Sequence, residues 1–191
     1  MSGYRWSWLG VWLGMLWWRG CVARPTMPAP TPTPSPAAEA VRQALLRALD
    51  LEMARYRRWL QAEADPDRQA AYRAALDALQ AEYRRVQALP AAQITPALLY
   101  HAIPGVEATA SLPPDPRREV DNAWVETATL PTDLFYAGQS RSGPFYTVVG
   151  LTPGVTLEPE RHYRVRLRLL MRATYPFPHY YVLVEAATPR P

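Results

Sequence analysis

The chain has no lysine; all 21 basic side chains among its 191 residues are arginine. That choice reads as the coding bias of a GC-rich genome, because the usual hyperthermophile signal, enrichment in lysine together with glutamate, is missing. There is one cysteine, Cys21, which excludes an internal disulfide framework and a zinc site built from several thiolates. Three histidines, His101, His162 and His179, stand far apart with no local ligand spacing, so no metal and no cofactor is expected. Neither an HExxH, CxxC, Walker-type or GxGxxG pattern nor a GxSxG elbow occurs. Glu158 and Glu160 straddle Pro159 in a turn, and Asp115, Glu119 and Asp121 fall in a polar, proline-rich loop. Neither set suggests two carboxylates held at a defined separation in a cleft. An enzyme is therefore the least supported class. The net charge of +4 permits an anionic partner without demanding nucleic acid.

Long apolar runs are also scarce. The exception is WSWLGVWLGMLWW, Trp6 to Trp18, which follows Arg5 and is ended by Arg19. As a helix it would be roughly 20 Å long, short of the about 30 Å hydrocarbon core of a bilayer. This is the length of a signal-peptide core. Arg5, the apolar run, Gly20-Cys21 and the flexible tail behind them resemble the export signal of bacterial lipoproteins. That resemblance implies cleavage before Cys21, lipidation of its thiol and an extracytoplasmic location at the cell envelope. Trp18 and Arg19 stand where that family prefers Leu and a small residue, so an uncut N-terminal anchor over residues 1–21 stays open as the alternative. Residues 22–36, with their TPTPSP run, read as an extended polyproline linker.

Residues 37–89 carry helical periodicity. Leu46, Leu49, Met53, Tyr56 and Leu60 recur at spacings of three and four, as do Tyr72, Leu76, Leu79, Tyr83 and Val86. Asp65 between them suits an N-cap, and Pro66 the first position of a second helix. An antiparallel helical hairpin is predicted, its apolar seams packing on the following domain or on another subunit.

From residue 90 the pattern changes. A short helix is expected from Ile94 through His101. Strands are expected at 106–112, 123–130, 145–151, 162–172 and 180–186, separated by Pro, Gly, Asp and Ser clusters. The expected class is thus α+β in several parts, ending in an all-β sandwich-like domain over 90–191, with a small barrel as the alternative. TLEPERHYRVRL, Thr156 to Leu167, resembles the corner before a late strand of fibronectin type III and immunoglobulin-like domains. The resemblance implies that the Tyr163 hydroxyl bonds back to nearby backbone, with Trp124 a candidate core tryptophan.

Two surface candidates follow. Period-two alternation in RHYRVRLRLLMRA puts Arg164, Arg166 and Arg168 on one face, about 7 Å apart along the strand. Such a stripe suits an anionic partner, unless cross-strand carboxylates such as Glu126 or Glu185 balance it. Phe135, Tyr136, Phe145 and Tyr146 flank one turn, and Phe177 and Tyr180 belong to a second. Exposed rings there would stack on sugars or form a protein-binding hot spot; buried rings would close the core. The leading expectation is a membrane-tethered accessory or assembly subunit that joins an envelope protein complex through its hairpin. The alternative is a module that binds an envelope glycan or another anionic polymer. Nucleic acid is not expected of an exported chain.

Overall fold

A computed structural model describes residues 35–94, 117–136, 145–173 and 179–191. The expected signal or anchor with Cys21, almost all of the linker, the short helix to His101, the strand at 106–112 and the two aromatic turns lie outside the described residues. The described part belongs to one unit, Thr33–Pro191. Helix α1 spans Pro36–Ala62, α2 spans Pro66–Ala88, and a single 3-10 turn, Ala91–Gln93, follows. Five strands complete the chain: β1 Arg117–Val125, β2 Thr132–Tyr136, β3 Phe145–Leu151, β4 Arg161–Ala173 and β5 His179–Pro189.

The helices start where the sequence provides caps. The Ser35 side chain accepts from the Ala38 N–H at 3.2 Å, ahead of Pro36 in the first turn. Asp65 accepts from the Asp67 N–H at 2.9 Å, with Pro66 opening α2. The pair is antiparallel. Tyr56 and Tyr72 meet edge to face near the connection, while at the far end Arg42 donates to the Gln87 carbonyl at 3.4 Å. Both predicted seams are inside the pair, but α1 is buried on a second side as well. Val41, Ala44, Leu45, Ala48 and Glu52 join Val149, Leu170, Met171, Tyr181 and Leu183 from β3, β4 and β5 in one packed layer. The hairpin therefore packs on the following domain, one of the two expected settings, through a side of α1 distinct from the seams.

The five strands form one closed barrel in the order β1-β2-β3-β5-β4, with β4 returning to β1. This corrects the expected sandwich, which would need two facing sheets. The reason lies in β4, thirteen residues long, which pairs with β1 along one edge and β5 along the other and so rolls the sheet shut. All neighbours are antiparallel except β3 and β5. The order sets the third and fifth strands side by side in parallel, with β4 between them in sequence. The interior holds alternate residues of each strand, among them Val125, Leu134, Val148, Val165, Leu167 and Val184.

Two local features seat α1. Gly150 lies where β3 shifts register beside Val149. A Cβ there would stand 2.7 Å from the Ala44 Cβ, so only glycine lets the helix backbone come so close. Arg47 of α1 donates to the Val149 carbonyl, which the irregular register turns toward the helix. Among the described residues no helix is long and apolar enough to cross a membrane.

Candidate functional site

The arginine stripe exists, and it is laced with carboxylates. On β4, Tyr163, Val165, Leu167 and Leu169 fill the barrel, so Arg164, Arg166 and Arg168 point outward. Strand β1 runs beside them, with Glu119 opposite Arg166. Arg166 lies 3.3 Å from Glu119, Arg164 3.6 Å from Asp121, and Arg168 2.6 Å from Glu185 of β5. Arg117 shares Glu185 at 3.0 Å, and Arg190 pairs with Asp121. The balancing carboxylates are therefore Glu185, as expected, and Glu119 and Asp121, which stand on β1 and not in a loop. Glu126 instead lies exposed just past the end of β1.

Asp121 reaches the ladder because β1 is irregular. Its pairing with β4 shifts between Val120 and Ala123, and Asn122 adopts φ of 54°, a left-handed value that asparagine tolerates. The hydrogen bond from Arg190 holds the Asp121 carboxyl below its ordinary range, helped by the Asn122 N–H and Arg164. Counted together, Arg117, Arg164, Arg166, Arg168 and Arg190 face three carboxylates, so the face keeps an excess of positive charge.

The aromatic candidates separate. Phe135 is 36% exposed on the outer face of β2. It meets Trp124 of β1 at 5.8 Å between ring centroids, directly across the strand pair. Trp124 is therefore not a core tryptophan. Its neighbours Ala123 and Val125 are fully buried, and alternation turns the indole outward beside His162 of β4, which is exposed. Tyr146 is corrected from a surface candidate to a core residue, 5% exposed and stacked on Tyr180 at 5.5 Å. Tyr180 is half-buried and carries the Arg172 guanidinium 5.6 Å above its ring. The side chains of Tyr136 and Phe145, and Phe177 entire, lie outside the described residues. The strand ends that border the two aromatic turns are neighbours nonetheless, since His179 pairs with both Phe145 and Ala173.

The Tyr163 hydroxyl accepts the Glu158 N–H at 2.8 Å, the back-bond that the corner motif implied, here inside a barrel. Sequence reading missed a second polar contact. Glu52 of α1 is 3% exposed under the barrel, where the Tyr181 hydroxyl donates to it at 2.7 Å and Arg55 lies 3.1 Å away. Desolvation raises the Glu52 carboxyl above its ordinary value, against the pull of Arg55 and of the Tyr181 hydrogen bond. Burial, followed by the Glu52 charge, pushes the Tyr181 phenol up as well. The available signal was Glu52 itself, a lone acid between Leu49 and Tyr56 on an otherwise apolar face.

Among the described residues no three His, Cys, Asp or Glu side chains gather as a metal site requires. Glu158 is engaged with Arg161 at the surface. No protein-family model matches the chain, and no curated protein or solved structure matches it.

Proposed function

We propose that this protein is a binding module for an envelope glycan or a related anionic polymer, held at the outer face of a bacterial membrane through its N-terminal segment with Cys21 as the lipidated residue. The observation that carries the reading is the outward-facing Trp124–Phe135 pair, with Phe135 exposed and Trp124 half-buried, placed beside His162 and continuous along β1 and β4 with the arginine ladder. A half-buried indole with an exposed phenyl ring beside it makes a small outward aromatic platform of the kind on which a sugar ring stacks. The helical hairpin covers the outer surface of β3, β5 and the end of β4, and among the described residues no element lies over the β2–β1–β4 face.

The test is sedimentation with purified envelope polysaccharide and binding to an array of acidic and neutral oligosaccharides. Trp124→Ala should weaken binding by at least about tenfold, as truncation of an aromatic anchor does, without changing the melting temperature appreciably. Equal binding by Trp124→Ala and the parent protein would refute the reading.

A further inference from the structure

At the far end of the same face, Arg117, Arg118, Glu119, Arg166 and Glu185 line a shallow groove. Its two carboxylates are not equivalent. Glu185 is held by two arginines, Arg117 at 3.0 Å and Arg168 at 2.6 Å, and its side chain is only 15% exposed. Glu119 is 66% exposed and meets Arg166, itself 54% exposed, at 3.3 Å. The first is a strut of the barrel wall. The second is an ion pair in water, of the kind whose net attraction is small because solvent screens it and two long side chains must be held still. Breaking it costs little, and it frees one guanidinium in a groove that Arg117 and Arg118 also line.

We infer that this groove is a subsite for the carboxylate of an acidic polysaccharide, and that Glu119 occupies Arg166 in competition with it. The inference rests on the binding-module reading and adds the ligand's acidic group and the residue that competes with it. A bidentate guanidinium–carboxylate pair is the natural contact, and the groove offers Arg166 to form it. Trp124 lies five residues from Glu119 along β1, roughly 15 Å at strand rise, so a single glycan chain can reach both platform and groove. Glu119, Asp121 and Glu185 favour a glycan over a nucleic acid. A phosphate chain brings a negative charge with every unit and meets repulsion from each of the three. A polysaccharide with one carboxylate on every second sugar places hydroxyl groups between its charges, and hydroxyls donate hydrogen bonds to carboxylates.

The experiment measures binding of hyaluronan decasaccharide, neutral dextran oligosaccharide, a dT10 single strand and vesicles of mixed phosphatidylglycerol and phosphatidylcholine, as a function of salt. Glu119→Gln should tighten hyaluronan binding about two- to fivefold, the worth of the exposed pair it removes. Arg166→Gln should weaken it and flatten the salt dependence, because one ionic contact is lost. Unchanged or weaker hyaluronan binding by Glu119→Gln, with melting temperature retained, overturns the subsite. If Trp124→Ala still abolishes binding in that case, the wider reading survives. Tighter binding of dT10 or of vesicles than of hyaluronan overturns the glycan assignment. Failure of all four probes removes both proposals.

Discussion

The outer surface of the barrel has two halves, and β4 runs through both. Toward its end, Leu170 points outward and is fully buried beneath α1. Toward its start, Arg164, Arg166 and Arg168 point outward into water and carboxylates. Same strand and same side of the sheet, yet one half is a helix-binding surface and the other a charged face. The side-chain chemistry at a few alternate positions decides which half the helices cover. The leucine that breaks the polar alternation of the arginine stripe marks where the hairpin begins.

The sharpest way to break that contrast is to extend the stripe. Leu170→Arg places a guanidinium under α1 with no acid prepared for it. The expected loss is about 4 kcal/mol or more, read as a collapse of the urea midpoint or as an insoluble protein. Arg166→Ala, four strand positions before Leu170 on the same side but on the exposed half, should shift stability by no more than about 0.5 kcal/mol. Equal effects of the two would mean that α1 does not cover β4 in solution.

Gly150→Val tests the same interface from β3. The nearest helix atom to its Cβ would be the Ala44 Cβ at 2.7 Å, with Leu183 at 3.0 Å, and neither the helix backbone nor the strand can retreat cheaply. Overpacking of this kind costs about 1–3 kcal/mol. Because the barrel interior on the other side of β3 is untouched, amide exchange should accelerate in α1 and α2 more than in β4 and β5. Uniform acceleration would show that helices and barrel melt as one unit.

What could be read in the chain beforehand follows the same division between local and distant causes. The capping of α2 by Asp65, the two seams, the limits of β3 and the Tyr163 back-bond depend on residues within a few positions of each other, and sequence displays them directly. Barrel closure depends on β3 meeting β5 across a whole intervening strand, which no local pattern encodes. The ladder was half visible: the arginines are periodic, but Glu119 and Asp121 sit beside a strand irregularity and resembled loop. Trp124 was misassigned by analogy, although alternation with Ala123 and Val125 already places it outside.

The smallest of these effects concerns the one acid at the covered interface. Glu52 is buried between α1 and the barrel, with Tyr181 and Arg55 as its polar neighbours. Desolvation outweighs both and raises its carboxyl in the folded state. An acid whose folded value is raised favours the folded state when protonated. Its contribution is fully present below the ordinary value of 4.5 and is lost as pH rises through the raised one. Glu52→Gln keeps a carbonyl to accept the Tyr181 hydroxyl and removes the charge. The difference in stability, variant minus parent, should therefore grow in the variant's favour from pH 4 to pH 8. Glu39 and Asp121, whose carboxyls are held low by arginine, slope the other way in both proteins and cancel in the difference. Tyr181→Phe should cost about 1–3 kcal/mol at neutral pH, since it leaves the buried carboxylate short of a donor, and the double variant should cost less than the sum. A difference between Glu52→Gln and parent that stays flat across that pH range would mean that Arg55 compensates the burial in full, and the helix–barrel contact would then carry no pH dependence of its own.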